Sequence, residues 1–171
     1  SLMASSVIME IVRSFDDHYS TPLNEVKHHY GQNAVAKAIQ ETLKDSKLIK
    51  KREEHHYDKK VEVDVLVEKM QEYYSIRCVP QIAGPIVDTI AYAKEILINE
   101  INSANDNPIV DWERKNVYHG GNFHGDYVAL EMDKLKIAIT KLSMLAERQL
   151  NFLMNDKLNN ILPPFVNHGT L

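Results

Sequence analysis

The chain has 171 residues, of which 44% are hydrophobic and 26% are charged, and its formal net charge is −4. This size suits one domain with a sizeable core, and the slight negative charge gives no reason to expect nucleic acid or an anionic membrane as a partner. Its single cysteine, Cys78, excludes an intrachain disulfide and favours a reducing, cytoplasmic location.

Apolar residues recur at helical spacing along most of the chain. We predict a short helix over residues 7–15, a second after residues 28–32, a third over 86–102 and a long one over 126–155. Pro85 is expected in the first turn of the third helix, where proline is tolerated. The longest helix spans about 44 Å, so it needs partners of similar length. These patterns predict an all-α fold, a bundle of long antiparallel helices.

Residues 45–64 interrupt this pattern with six basic and six acidic side chains. Because apolar residues are sparse there, we predict a mobile, charged loop over residues 45–63. The segment contains the pair His55-His56, and a second pair, His28-His29, lies upstream. Adjacent histidines point in different directions on a helix, so a metal site is the minor interpretation of both pairs.

The stretch from Gln71 to Gln81 contains an arginine among apolar neighbours. Arg77 is flanked by Ile76 and Cys78, and such a guanidinium favours a bidentate anion such as a carboxylate. Tyr74 lies three residues earlier and can donate a hydrogen bond or transfer a proton nearby. The alternative is a structural turn in which Arg77 forms a buried ion pair and Tyr74 packs as an ordinary aromatic residue.

Two further polar stretches follow. Residues 100–108 read Glu-Ile-Asn-Ser-Ala-Asn-Asp-Asn-Pro, a composition that also serves to cap the end of a helix. Residues 120–125 read Gly-Gly-Asn-Phe-His-Gly and precede the longest helix. There Asn122 and His124 stand near a helix N-terminus, which favours negative charge, although a simple capping turn also explains them.

In this order, residues 74–81, 100–108 and 120–125 resemble segments of the aromatic amino-acid ammonia-lyase family, which contains histidine, phenylalanine and tyrosine ammonia-lyases and the related aminomutases. Residues 29–32 and 162–165 are also similar to family segments. The resemblance implies elimination of ammonia from an aromatic α-amino acid to give an arylacrylate. It also implies an electrophilic prosthetic group, methylidene-imidazolone, which is made from an internal Ala-Ser-Gly triplet.

The resemblance also implies roles for individual residues. Arg77 would hold the substrate carboxylate, Tyr74 would lie beside the prosthetic group and assist it, and Gln71 would support the polar network around the substrate. Phe123 would pack near the prosthetic group and the substrate ring, with Asn122 next to it. The implied catalytic, substrate-binding and cofactor-binding residues are Tyr74, Arg77, Gln71, Phe123 and Asn122.

The sequence departs from the family at the prosthetic group. It contains no Ala-Ser-Gly, and its one Ala-Ser, at Ala4-Ser5, is followed by another serine. We therefore expect residues 1–171 to be the central helical-bundle portion of a larger lyase-like subunit, inactive alone. The resemblance further implies a homotetramer whose sites draw residues from several subunits, so we expect self-association through the long helices.

Several alternatives stay open. The chain can instead be a helical assembly module that shares ancestry with the lyases and has no catalysis. Among substrates, histidine is slightly favoured because Cys78 and Val79 resemble bacterial histidine lyases more than plant phenylalanine lyases. A phenylalanine or tyrosine ammonia-lyase or an aminomutase remains an alternative. A metal-binding bundle is the weakest interpretation, because no histidine pair has the spacing that places two ligands on one helix face.

Overall fold

A computed structural model describes residues 1–57 and 70–167. Seven α-helices account for most of this part of the chain, and the predicted all-α fold is confirmed. The helices are α1 (Leu2–Ile11), α2 (Thr21–Glu25), α3 (Tyr30–Leu43), α4 (Tyr74–Arg77), α5 (Val79–Ile101), α6 (Asp126–Met154) and α7 (Asp156–Asn159).

Helix α5 forms the centre of the bundle, with α3 and α6 packed along it and α1 against α3. The buried apolar cluster draws on α1, α3, α4, α5 and α6, and Met9, Ile39, Ile76 and Val79 are fully inaccessible to solvent. Helix α6 agrees closely with the predicted long helix. Within residues 1–57 and 70–167, none of the helices combines the length and the apolar character that a membrane crossing requires.

The predicted start of α5 was wrong. The helix begins at Val79 instead of residue 86, so Pro80 occupies the first turn and Pro85 lies inside the helix. A proline within a helix removes one backbone hydrogen bond, which is why Pro85 suggested a helix start. Burial outweighs this loss, because Val79 is fully buried and Ala83 and Ile86 are each 7% exposed.

A short antiparallel hairpin interrupts the helices and was not predicted. Strand β1 (Ile109–Asp111) pairs with β2 (Asn116–Tyr118). The turn between them is held by Asp111, whose carboxylate accepts hydrogen bonds from the backbone N–H and the guanidinium of Arg114 at 3.0 and 2.7 Å. Strands of three residues are too short to show a clear alternating pattern, so the sequence carried little signal for them.

The predicted charged loop is described over residues 45–57, and residues 58–63 lie outside the described residues. Its first part is bound to the domain through Lys50, which forms a parallel bridge with Phe15. The backbone N–H of Lys50 donates to Ser14 at 2.9 Å, and its carbonyl accepts from Asp16 at 3.1 Å. Residues 53–57 form a π-helical turn where an irregular loop was expected. The mobility of the whole segment stays a prediction.

The backbones of α3 and α5 touch where Gly31 meets Gly84. A Cβ atom added to Gly31 would collide with the carbonyl oxygen of Gly84. A Cβ atom added to Gly84 would lie 2.5 Å from the backbone nitrogen of Gln32 and 2.6 Å from its Cα. Backbone atoms cannot yield as a flexible side chain does, so both positions require glycine for this helix crossing.

We expect Gly84→Ala to lower the free energy of unfolding by about 1–3 kcal/mol or more, because the added methyl group forces α3 and α5 apart. Gly125→Ala is the matched control, since nothing lies within 4 Å of a Cβ atom there. Equilibrium unfolding in guanidinium chloride measures both variants. Equal stability of Gly84→Ala and the unmodified chain would refute the close-contact argument.

Candidate functional site

Helix α4 sets the relation between Tyr74 and Arg77. It is one turn long, and the fully buried side chain of Ile76 anchors it in the core. Residues three apart on a helix lie on the same side, so the guanidinium of Arg77 lies over the Tyr74 ring, 4.5 Å from the ring centroid. Tyr74 is 67% exposed, so it is not the packed aromatic of the alternative interpretation.

Arg77 lines a cavity of about 330 Å³, which we call the Arg77 cavity. Gln71 lies on its wall, so the structure brings two of the predicted site residues together. The Nε atom of Arg77 is buried without a hydrogen-bond partner. Among the described residues no carboxylate pairs with Arg77, so its guanidinium is available to an anion. The lining residues are Asp17, His18, Leu23, Arg52, Gln71, Glu72, Arg77, Cys78 and Gln81.

The other charged groups around the cavity already have partners. The guanidinium of Arg52 donates to the Asp17 carboxylate at 3.2 and 3.4 Å and lies over the Phe15 ring, 3.7 Å from its centroid. The carboxylate of Glu72 accepts the backbone N–H of Phe15 at 3.2 Å. The Arg52–Asp17 pair is thus compensated within the chain. Arg77 has no carboxylate partner among the described residues, so it is the cation of this cavity that an incoming anion can pair with.

His18 lines the Arg77 cavity and was not predicted from the sequence. It is 4% exposed, and neither imidazole nitrogen has a hydrogen-bond partner. Burial lowers the pKa of His18 to about 4, against the opposing influence of Asp17, Glu72 and Asp16. The imidazole is therefore uncharged at neutral pH. The sequence predicts a connection between helices over residues 16–22. Its residue pattern does not distinguish His18 from a histidine on the surface.

Asn122 and Phe123 lie at the opposite end of α5 from Arg77. The side chain of Asn122 donates to the carbonyl of Ala104, just beyond the C-terminus of α5, at 3.3 Å. The 23 residues of α5 correspond to roughly 35 Å, so one chain does not bring Asn122 and Phe123 to Arg77. Phe123 is 63% exposed and free to contact groups outside the chain.

The polar residues at 100–108 hydrogen-bond mainly to nearby backbone. Asn102 donates to the carbonyl of Ile98 at 2.7 Å, and Asn105 donates to that of Glu100 at 2.8 Å. Both carbonyls also accept a backbone N–H, from Asn102 at 3.3 Å and from Ser103 at 3.1 Å, so these side chains reinforce the C-terminal end of α5. Over residues 1–57 and 70–167, no group of three His, Cys, Asp or Glu side chains is arranged to hold a metal ion.

Comparisons with known proteins match this chain to one family along nearly its whole length. The family described as aromatic amino acid lyase matches residues 1–170. A tyrosine 2,3-aminomutase from Chondromyces crocatus is 41% identical over 151 residues, covering 82% of this chain and 28% of that protein. A histidine ammonia-lyase from Caldanaerobacter subterraneus subsp. tengcongensis is 36% identical, covering 95% of this chain and 29% of that protein.

The fold agrees with solved structures. The crystal structure of a tyrosine aminomutase from Streptomyces globisporus superimposes with a TM-score of 0.90 at 34% identity, covering 99% of this chain and 34% of that one. The chain thus spans about a third of the length of the relatives it matches.

We expect His18 to make stability depend on pH. The unfolded chain binds a proton on this imidazole near pH 6.5, whereas the folded chain does so only near pH 4. As the pH falls through this interval, protonation favours the unfolded chain, so stability is full above pH 6.5 and declines toward pH 4 by about 3 kcal/mol.

Denaturant unfolding at several pH values measures this effect in the unmodified chain and in His18→Asn. The difference in stability between pH 7 and pH 4 should be smaller in the variant. His28→Asn, at an exposed histidine, is the matched control and should keep the full pH dependence. The same pH dependence in His18→Asn and the unmodified chain would contradict the argument.

Proposed function

The chain belongs to the aromatic amino acid lyase family, and we propose that it supplies part of the active site of a cytoplasmic enzyme that eliminates ammonia from an aromatic α-amino acid. Histidine is the favoured substrate, from the resemblance of Cys78 and Val79 to bacterial histidine lyases. A tyrosine aminomutase is the second candidate, and the 41% identity to the Chondromyces crocatus protein supports it.

The free guanidinium of Arg77 is the observation that carries the proposal. It lies on a cavity whose other cation, Arg52, is paired with Asp17, beside the phenol of Tyr74. An arginine presents two parallel N–H donors, which match the two oxygens of a carboxylate. In this proposal Arg77 holds the substrate carboxylate and Gln71, on the same cavity, supports the polar network around it.

Family members use methylidene-imidazolone, an electrophile that activates the amine for loss. The residues of this chain do not fit the formation of that group. Its one Ala-Ser lies in α1, where the hydroxyl of buried Ser5 is hydrogen-bonded to Gln149 at 3.1 Å. That serine is part of a helix contact and is followed by Ser6 instead of glycine. The chain alone is therefore proposed to be inactive, with the electrophile supplied from outside these residues.

The positions of Tyr74 and Phe123 suit this arrangement. Both aromatic rings are largely exposed, at 67% and 63%, so both can face groups that this chain does not contain. Because α5 separates Phe123 from Arg77, we propose that a second copy supplies Asn122 and Phe123 to the Arg77 cavity.

Long exposed apolar faces support self-association. Large apolar side chains clustered on exposed helix faces are typical of interaction surfaces. Helix α6 is also longer than α5, so α5 alone cannot cover it. The exposed apolar residues of these two helices include Ile90, Ile98, Ile101, Leu130, Ile137, Ile139, Met144 and Leu150.

In the enzyme that contains this chain, Arg77→Met should raise the KM for the aromatic amino acid. Removing one partner of a buried charged pair costs about 2–5 kcal/mol, which corresponds to roughly 30-fold or more. Initial rates of arylacrylate formation from histidine, phenylalanine and tyrosine measure KM and identify the substrate. Arg148→Met, at an exposed arginine paired with neighbouring Glu147, is the control. An unchanged KM in Arg77→Met would remove Arg77 from this role.

Sedimentation equilibrium at several concentrations tests self-association. We expect the chain to form oligomers, and Ile139→Asp, at a position 61% exposed on α6, to shift the equilibrium toward monomer by placing a charge in the apolar face. Thr140→Asp introduces the same charge at the adjacent exposed polar position and is the control. A monomer at every concentration would refute the proposed interface.

A further inference from the structure

A buried amide network lies behind the Arg77 cavity, centred on Asn24, which is 1% exposed. The side-chain Nδ2 of Asn24 donates to the carbonyls of His18 and Ser20 at 3.3 and 2.9 Å. An amide nitrogen carries only two N–H groups, so both donors are used. The remaining atom, Oδ1, must accept, and it accepts Nε2 of Gln32 at 3.0 Å and Nε2 of Gln81 at 3.5 Å.

This network fixes the orientation of the Gln81 amide. Because two backbone carbonyls require Nδ2 of Asn24, and Oδ1 of Asn24 requires a donor, Gln81 must present Nε2 to Asn24. Its Oε1 then has no hydrogen-bond partner in the described structure and is shielded from bulk solvent. A buried acceptor without a partner is destabilising, so Oε1 of Gln81 is an atom that a ligand can satisfy.

The unsatisfied acceptor and the unsatisfied donor belong to the same cavity. Gln81 and Arg77 are four residues apart across the junction of α4 and α5, and both line the Arg77 cavity. Nε of Arg77 is buried without a partner, as Oε1 of Gln81 is. A matching ligand therefore carries an acceptor and a donor within one small group. The zwitterionic head of an α-amino acid, with its carboxylate next to its ammonium, has this character.

We propose that Gln81 binds the ammonium group of the amino acid whose carboxylate is held by Arg77. This inference rests on the proposed function and adds to it a residue that recognises the positive charge of the substrate's ammonium group. A carboxylic acid without an amino group leaves Oε1 unsatisfied and brings its own negative oxygens toward it. Gln81 therefore selects amino acids over the corresponding deaminated acids.

The remaining groups of the cavity suit a cation at this position. His18 is buried and uncharged at neutral pH, so it does not repel an ammonium group. The charge of Arg52 is offset by Asp17. The volume of about 330 Å³ lies at the lower end of the range for small-molecule sites and accommodates the head group of an amino acid.

Cys78 provides a direct measure of cavity occupancy. It is the single cysteine of the chain, and it lines the same cavity with a partly exposed side chain. A ligand in the cavity should slow the reaction of this thiol with iodoacetamide, which is uncharged. The concentration of ligand that halves the rate gives a dissociation constant without any need for catalysis.

The experiment compares L-phenylalanine with 3-phenylpropanoate, which lacks only the amino group, on the 171-residue chain. We expect phenylalanine to bind about tenfold or more tightly, as is typical of a hydrogen bond to a charged group. In Gln81→Met, which has similar size and no acceptor of this kind, the ratio of the two dissociation constants should fall toward one. Gln40→Met, at a glutamine that instead bonds the carbonyl of Tyr19, should keep the full ratio.

Several outcomes overturn the proposal. If L-phenylalanine and 3-phenylpropanoate bind the unmodified chain equally well, the proposal is overturned, whether or not Gln81→Met folds. The proposal is also overturned if Gln81→Met, with a circular dichroism spectrum that matches the unmodified chain, keeps the full ratio of the two dissociation constants. If phenylalanine protects Cys78 and Arg77→Met abolishes protection while Gln81→Met keeps the ratio, the carboxylate role of Arg77 stands and only this proposal fails. If neither L-phenylalanine nor L-histidine protects Cys78 in the unmodified chain, both the carboxylate role of Arg77 and this proposal fail.

Discussion

The contact between the backbones of Gly31 and Gly84 is the constraint on which the arrangement of the site depends. It allows α3 and α5 to cross without intervening side chains, and it fixes which residues face each other at the crossing. Gln32 follows Gly31 directly and lies against Gly84, so the crossing holds α3 near the start of α5. The amide of Asn24 then joins Gln32 to Gln81. The position of Gln81 in the wall of the Arg77 cavity therefore depends on how the two helices cross.

The cavity combines compensated charges with a few polar atoms that have no partner. Arg52 and Asp17 form an ion pair, while the side-chain amide of Asn24 uses both its donors and its acceptor within the chain. Unpartnered buried atoms occur on His18, Arg77 and Gln81, all of which line the cavity. Folded proteins rarely leave several buried polar atoms unsatisfied in one place. Within the described residues, their concentration here supports the proposal that this cavity binds a polar ligand.

The sequence predicted the helices best where apolar spacing persists over many turns. Helix α6 was located almost to the residue, whereas Pro85 misplaced the start of α5 because packing against α3 overrides the local preference of proline. The family resemblance implied that Arg77 and Gln71 share a site, and both residues line one cavity. His18 was missed, since its environment depends on residues from distant segments. The need for glycine at position 31 was equally invisible, because it arises from a neighbour 53 positions away.

Helix α5 also separates the two groups of residues that we propose to form the site. Arg77 precedes its first residue, and Asn122 is attached just beyond its last. Two copies related by a two-fold axis across the middle of α5 would place the Arg77 end of each beside the Phe123 end of the other, giving as many composite sites as chains. The number of residues in α5 would then be as strongly constrained as the identity of any residue in the site. A single inserted residue would move one end by 1.5 Å and rotate it by about 100° relative to the other, and it would alter every site at once.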